Sequence, residues 1–174
     1  MIAIFSGHTE IDVGNVYNDI SEHRLAKEII TLTGCKINVN YNAEQCEMKY
    51  RILKKLHDDT AIGLCILLHF PASYNRQMNA TSIIYHEYDY TGYALSMKLS
   101  ELCDSAGLKP ELFPHSQSNF TCNFLMKKAV VPVIVFEPFY LSHVGNNAMG
   151  QAQRCSLILK GLSKHLRQVK KNLD

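Results

Sequence analysis

The stretch "AIGLCILLH", residues 61–69, decides the fold. Its continuous apolar run is typical of a strand that is buried on both faces, as at the centre of a parallel sheet. Amphipathic helical patterns lie on either side of it in the chain, at 43–59 and at 93–107. The chain is therefore predicted to form an α/β fold, with a mostly parallel or mixed, twisted sheet and helices on both faces.

The other segments continue this alternation of strand and helix. Strands are predicted at 1–5, 36–41, 81–88 and 129–141, and helices at 20–34 and 148–171. Residues 111–126 are expected to be irregular, with a short strand at their end. Because the chain contains no repeat, low-complexity tract or Pro/Gly-rich linker, we interpret 1–174 as a single domain.

Composition narrows the classes of function. A charged fraction of 20% and a formal net charge of +2 indicate an ordinary globular protein that does not require a nucleic-acid partner. No window reaches the roughly 18 apolar residues of a membrane span, so no membrane insertion is expected. The first residues lack the pattern of a signal peptide, which predicts synthesis in a cytoplasm with reduced thiols. No CxxC pair occurs among the six cysteines, which argues against a zinc ribbon.

Three of the predicted strands run into a residue that could bind a metal or transfer a proton. His8 follows the first strand, His69 ends the central one, and Glu137 lies in the last. If these strands are parallel neighbours, their carboxyl ends meet at one edge of the sheet. Two histidines and a carboxylate form a common ligand set for hydrolytic zinc, which lowers the pKa of a bound water towards ~7. A further carboxylate must accept the water's proton.

Glu22 is the best candidate for the additional carboxylate. It opens the first predicted helix, directly after the loop that contains His8. Its local sequence, Asp19-Ile-Ser-Glu22, favours a capping role instead, with Asp19 as the N-cap and Glu22 at the third helical position. Glu10, Asp12 and Asp19 are alternative ligands from the same loop.

The order of these segments resembles the zinc-dependent N-acetylmuramoyl-L-alanine amidases of the type-3 amidase family. Members of that family open with a strand, a loop containing Gly-His and a Glu at the start of the first helix, as does "IFSGHTEIDVGNVYNDISEHRLAKEI" (4–29). The family's S-I-H-x-N-A-like and P-x-x-x-V-E-x-G-F-x-S-N-like motifs are similar to "LLHFPAS" (67–73) and "VPVIVFEPFYLSH" (131–143). The resemblance spans nearly the whole chain.

The resemblance implies a role for each of these residues. His8, Glu22 and His69 would be the ligands of one Zn²⁺ ion, and Glu137 would be the general base and later the acid that protonates the departing amine. The chain departs from the family at Pro71, where the family has Asn, and within "EPFY" after the catalytic Glu. These departures reshape the substrate groove and leave the proposed ligands intact.

Aromatic and imidazole side chains near the predicted strand ends are candidates for substrate binding. His115 is expected to line the groove and help to hold an oxyanion. Phe139, Tyr140, Tyr74 and Tyr85 are expected to form walls that stack on sugar or peptide.

Three hypotheses follow. The first is a zinc peptidoglycan amidase that hydrolyses the N-acetylmuramoyl–L-alanine bond of peptidoglycan or a muropeptide, as a phage or prophage lysin that acts on the cell wall after release or delivery. The second is another zinc amidohydrolase, or a carboxypeptidase-like enzyme, acting on small acyl-amino acids. The third is a non-catalytic binding domain of the same fold.

Overall fold

The computed structural model describes residues 1–35, 37, 39–72, 80–118, 123–144 and 147–172. The strands in these ranges are β1 (Ile2–Ser6), β2 (Val16–Tyr17), β3 (Ile20–Ser21), β4 (Leu64–Leu68), β5 (Thr81–Tyr85), β6 (Pro110–Pro114) and β7 (Val133–Glu137). The α-helices are α1 (Glu22–Thr33), α2 (Gln45–Asp58), α3 (Tyr90–Ser105), α4 (Asn123–Lys128) and α5 (Ala148–Lys171), with 3-10 turns at His115–Gln117 and Leu141–His143. None of the described helices has the length and apolar character needed to cross a membrane.

Five strands form a mixed sheet in the order β1-β4-β7-β5-β6. Strands β1, β4 and β7 are parallel, whereas β5 runs antiparallel to β7 and parallel to β6. The register aligns Ser6 with Leu68, Leu68 with Phe136, and Glu137 with Ser82. The carboxyl ends of β1, β4 and β7 therefore meet the amino end of β5 at one edge, which we call the carboxyl edge; the opposite one is the amino edge.

Helices cover both faces of this sheet, as the sequence predicts. The side chains of β4 alternate between the faces and all are buried. Leu64, Ile66 and Leu68 pack in a core formed with α1, α3 and α5. Cys65 and Leu67 face a second core formed with α2 and α4. The predicted α/β class is therefore confirmed.

The predicted strand at 36–41 is not formed in its described residues, 37 and 39–41. Ile37 is buried in the second core, and the hydroxyl of Tyr41 accepts a hydrogen bond of 3.0 Å from the backbone N–H of Ser6. The alternation of polar and apolar residues in this segment therefore reflects packing beside the outer strand β1, without a ladder of backbone hydrogen bonds.

The structure also corrects the prediction for 111–126. Strand β6 lies at the start of this segment and helix α4 at its end, the reverse of what the sequence indicates. Two prolines, Pro110 and Pro114, bound β6 and hide its strand character. They are tolerated because β6 is the edge strand and pairs only with β5.

A hairpin, β2–β3, lies between the His8 loop and helix α1. Its turn residues Asn18 and Asp19 both have positive φ, 46° and 61°, as in the type I′ turns that suit short hairpins. Asp19 therefore does not cap α1; the Ser21 side chain does so by accepting a 3.1 Å hydrogen bond from the N–H of Arg24. The capping interpretation of Glu22 is wrong, because Glu22 is the first helical residue and its side chain turns towards the carboxyl edge.

Replacing the true cap should be measurably destabilising. We expect Ser21→Ala to lower the free energy of unfolding by about 1 kcal/mol, because one N–H of the first turn loses its acceptor. Asp19→Gly removes a carboxylate but retains a residue suited to positive φ, so its effect should stay within about 0.5 kcal/mol. Urea denaturation of both variants measures the difference, and a larger loss in Asp19→Gly would contradict the assignment of the cap.

Candidate metal centre

The side chains of His8, Glu22 and His69 converge at the carboxyl edge. His8 follows β1, Glu22 begins α1, and His69 follows β4. Each offers one ligand atom, and these atoms lie within 4.8 Å of one another. The Oε2 atom of Glu22 is 3.4 Å from Nε2 of His8 and 3.7 Å from Nδ1 of His69. The structure thus brings together the three residues that the sequence singles out as ligands.

The Glu22 carboxylate is buried and held by backbone groups on two sides. The residue is 3% exposed; its Oε1 accepts the N–H of Asn15 at 3.0 Å, and its Oε2 accepts the N–H of Phe70 at 2.8 Å. Burial raises the pKa of Glu22, but hydrogen bonds from His69, Phe70 and Asn15 together outweigh it and leave the pKa below its ordinary value. The carboxylate is therefore ionised at neutral pH.

The imidazole of His8 is suited to bind a cation. Burial lowers its pKa, and the neighbouring carboxylate of Glu22 offsets only part of that effect. His8 is therefore neutral at pH 7, the form that metal coordination requires. Two imidazole nitrogens and one ionised carboxylate oxygen directed at a common point match the protein ligand set of a hydrolytic zinc. The residues present fit this ion.

Other acidic residues of the His8 loop do not join this cluster. Glu10 forms an exposed 3.0 Å ion pair with Lys27, and Asp19 lies in the β2–β3 turn. Asp12 lies 3.7 Å from Nδ1 of His8, the nitrogen that faces away from Glu22. The alternative ligands considered from the sequence are thus placed outside the cluster.

Glycines form the walls around both imidazoles. A Cβ atom on Gly7 would overlap the Nε2 atom of His69. Gly14 has φ +72°, and a Cβ there would come within 2.7 Å of the His8 ring. The main chain therefore packs against the two rings, whose centroids are 5.1 Å apart in an edge-to-face arrangement.

Two residues that hold His8 were not identified from the sequence. His23 is buried, and its Nδ1 lies 2.9 Å from the carbonyl oxygen of His8 and 3.1 Å from the hydroxyl of Ser6. Gln45, the first residue of α2, contacts Nδ1 of His8 through its side-chain amide at 3.0 Å. For His23, the only local indication in the sequence was its position directly after Glu22. Gln45 is distant in sequence from His8, and nothing in its local sequence indicates the contact.

Glu137 lies at the end of β7, the strand next to β4. Burial raises its pKa, and the charge of Glu22 adds to that rise, whereas a hydrogen bond with Ser82 on β5 opposes it. The net pKa is above the ordinary value, opposite to the direction found for Glu22. Neighbouring carboxyl groups with opposite pKa shifts are typical of a division of roles in a site.

A cavity of about 420 Å³ opens beside Glu137. It is lined by Pro71, Ala72, Ser82, Ile84, Phe113, Gln117, Ser118, Glu137 and Tyr140. Tyr140 thus lies where the sequence places a substrate contact. Phe139 does not: it is 3% exposed and packs in the core against Phe70, with ring centroids 5.3 Å apart. The prediction for Phe139 is corrected because its side chain is buried against Phe70 and does not reach the cavity.

The remaining substrate candidates lie at the side of this cavity or away from it. His115 begins the 3-10 turn that ends at the cavity residue Gln117 and is followed by the cavity residue Ser118, but it does not itself line the cavity. Tyr85 lies at the amino edge, because β5 runs antiparallel to β7. Tyr74 lies outside the described residues.

Comparisons with known proteins identify the fold. No family model matches the sequence, and no curated protein does. Among solved structures, the catalytic domain of the N-acetylmuramoyl-L-alanine amidase CwlV of Bacillus (Paenibacillus) polymyxa var. colistinus matches with a TM-score of 0.69 at 14% identity, over 95% of this chain and 98% of that one. The catalytic domain of an endolysin targeting Clostridia difficile matches with a TM-score of 0.67 at 15% identity, over 94% and 96%.

A bacteriophage poly-γ-glutamate hydrolase has a similar structure, with a TM-score of 0.60 at 13% identity, over 97% of this chain and 85% of that one. The chain therefore has the fold of N-acetylmuramoyl-L-alanine amidase catalytic domains, as the resemblance in its sequence implies. This fold is shared with a hydrolase of another polymer.

The close packing of Gly7 against the His69 ring leads to a testable prediction. We expect Gly7→Ala to weaken zinc affinity at least about tenfold, because the added methyl group displaces the His69 ring. The matched control is Gly63→Ala, whose Cβ would meet Leu166 at an ordinary 3.7 Å. Competition with a chromogenic chelator measures both affinities. Equal zinc binding by the two variants would contradict the assignment of His69 as a ligand.

The contact of Gln45 with His8 makes a second prediction. A histidine that binds a metal through Nε2 carries its proton on Nδ1 and needs an acceptor there, which the Gln45 amide oxygen supplies when the amide turns over. We expect Gln45→Leu to weaken zinc affinity about 10- to 100-fold. Gln45→Glu should restore most of it, since a carboxylate also accepts this proton. Zinc binding by Gln45→Leu at the wild-type affinity would exclude this positioning role.

Proposed function

We propose that this protein is a zinc-dependent N-acetylmuramoyl-L-alanine amidase, which hydrolyses the amide between N-acetylmuramic acid and L-alanine in peptidoglycan or a muropeptide. The observation that carries the proposal is the convergence of His8, Glu22 and His69 at the carboxyl edge, with Glu137 on the adjacent strand. The fold shared with amidase catalytic domains supports this choice of substrate.

His8, Glu22 and His69 would hold one Zn²⁺ ion. When bound, zinc supplies Lewis acidity, which polarises the substrate carbonyl and lowers the pKa of water. Glu22 contributes a fixed negative charge, and the two histidines contribute imidazole nitrogens. The hydrogen bonds from Asn15 and Phe70 to Glu22 keep this set in place through the reaction.

Glu137 moves the proton. Its carboxylate accepts a proton from the attacking water as the water oxygen bonds to the amide carbon. The same carboxyl group then donates that proton to the nitrogen of L-alanine as the C–N bond breaks, leaving a carboxylic acid and a free amine. The raised pKa of Glu137 suits both steps, because a general acid–base group works best with a pKa closer to the working pH. Ser82 orients it from β5.

The cavity beside Glu137 offers groups for a polar substrate. Ser82, Gln117, Ser118 and Tyr140 present hydroxyl and amide groups along its wall, and Phe113 and Ile84 add apolar surface. Such a mixture suits a ligand with amide bonds and sugar hydroxyls.

A second candidate is hydrolysis of a different amide. The same residues would serve another zinc amidohydrolase or carboxypeptidase-like enzyme on small acyl-amino acids. The structural similarity to a bacteriophage poly-γ-glutamate hydrolase adds an acidic polymer to these alternatives.

The test is to supply each substrate to the purified zinc-loaded protein. Purified peptidoglycan should release new L-alanine amino termini, whereas poly-γ-glutamate and small acyl-amino acids should stay intact. Cleavage of only the latter substrates would favour the second candidate. A protein that binds no zinc and cleaves none of them would be a binding domain of this fold.

We extend the proposal to a phage or prophage lysin that reaches the cell wall after release or delivery. The endolysin catalytic domain among the similar structures supports this setting. Expression in a bacterial host with and without a membrane-permeabilising protein tests it. Lysis should require both proteins, and lysis by this protein alone would contradict a release-dependent role.

Substitution of Glu137 and of Glu22 should affect zinc binding and turnover differently. We expect Glu137→Ala to retain zinc and lose turnover by about 10²- to 10⁴-fold, because only the proton-transfer group is removed. Glu22→Ala should lose both zinc and turnover. Zinc content by atomic emission, with L-alanine release on the same samples, measures both effects. Loss of zinc in Glu137→Ala together with retention in Glu22→Ala would reverse the assignment.

A further inference from the structure

Helix α5 has a one-sided charge composition. It contains six of the chain's 18 Lys and Arg residues and none of its 16 Asp and Glu residues. The rest of the chain carries 12 basic and 16 acidic residues, so it is net negative. The helix is therefore a positive pole on an otherwise acidic protein.

Four of these basic residues form a line along the exposed side of α5. Lys160, Lys164, Arg167 and Lys171, which we call the basic stripe, follow an i, i+4, i+7, i+11 spacing that places them on one helical face. All four are exposed, and the opposite face is buried through residues such as Leu162. At the rise of an α-helix the stripe is about 16 Å long.

The basic stripe is not neutralised in the way that three basic residues of α2, Arg51, Lys54 and Lys55, are. On α2 the ion pairs are Glu47–Arg51 at 2.6 Å, Lys54–Asp58 at 2.6 Å and Lys55–Asp59 at 3.5 Å. Within the described ranges, no ion pair involves a residue of the basic stripe. Interaction with the helix dipole favours cations in the last turn, which holds only Lys171 of the stripe and leaves Lys160, Lys164 and Arg167 unexplained.

The basic stripe lies at the opposite end of the molecule from the metal centre. Helix α5 begins after β7 at the carboxyl edge and ends towards the amino edge. Lys160 and Arg167 line a pocket of about 280 Å³ together with Ile2, the first residue of β1, and Thr33, the last of α1. A ligand on the stripe would therefore leave Glu137 and the cavity beside it open to substrate.

We propose that the basic stripe binds a phosphodiester polymer of the bacterial cell wall and so holds the protein against its insoluble substrate. The wall setting rests on the proposed amidase function, whereas polymer binding rests on the charges themselves. A linear array of unpaired cations matches a chain with one negative charge per repeat, and such binding gains free energy by releasing counterions. A lipid surface fits less well, because most apolar side chains of α5 pack in the core, and the exposed ones, Met149, Leu157 and Val169, are too few and too far apart along the helix to form an apolar face for insertion.

The proposal is tested with fluorescent poly(glycerol phosphate) in anisotropy titrations at 50 and 200 mM salt. We expect Lys160→Gln/Lys164→Gln/Lys171→Gln to weaken binding at least about tenfold at the lower salt concentration. The slope of the logarithm of the binding constant against the logarithm of the salt concentration should become less steep by about two. The control Arg51→Gln/Lys54→Gln/Lys55→Gln removes the same net charge from α2 and should change binding less than about threefold. Circular dichroism verifies that both variants fold.

Three results would overturn the proposal: no binding by the wild-type protein, equal losses in the two triple variants, or tighter binding to phosphatidylglycerol vesicles or duplex DNA at equal phosphate concentration. Hydrolysis of a soluble muropeptide, measured in parallel, tests the proposed function separately. The stripe variant should cleave this muropeptide at the wild-type rate and intact walls more slowly. Polymer binding without muropeptide hydrolysis would reject the amidase and retain the binding surface.

Discussion

The carboxylate of Glu22 joins three separate parts of the chain. The residue Glu22 begins α1. Its carboxylate accepts a hydrogen bond from the N–H of Asn15 in the loop after β1 and another from the N–H of Phe70 after β4. A buried charge is strongly unfavourable unless its hydrogen bonds are satisfied, so the burial of Glu22 requires these segments to meet. His8 and His69 belong to the same two segments. The bonds that stabilise the local fold are thus the ones that set the spacing of the candidate ligands.

The antiparallel strand β5 gives the second carboxylate its environment. In a fully parallel sheet the strand beside β7 would also end at the carboxyl edge. Here β5 begins there, so Ser82 lies opposite Glu137 and the cavity extends over β5 and β6. Glu22 is enclosed and ionised, whereas Glu137 opens to the cavity with a raised pKa. One edge of the sheet therefore holds a group suited to binding a cation and another suited to exchanging protons.

The sequence predicts the parts of this structure that depend on long local patterns. The apolar run at 61–69 predicts strand β4, and the helical spacing of apolar residues predicts helix α5. His8, His69 and Glu137 were identified as polar residues at the ends of apolar strands. Features that depend on distant partners were missed. Strand β6 is defined by its pairing with β5, the contact of Gln45 with His8 by the packing of α2, and the burial of Phe139 by the turn after β7. The resemblance to an amidase family, more than local sequence, identified Glu22, because its local sequence has the pattern of a helix cap and gives no sign of its position beside His8 and His69.

The position of β7 in the sheet has a consequence for the order of folding. This strand lies between β4 and β5, although it is the last of the five in sequence. The two halves of the sheet therefore cannot join until most of the chain has been synthesised, and contacts of such long sequence separation form slowly. His8 and Glu22 emerge early, while Glu137 completes the site only when β7 is inserted. A partly synthesised or truncated chain would hold His8 and Glu22 without Glu137, so the candidate site is complete only when the whole sheet has closed.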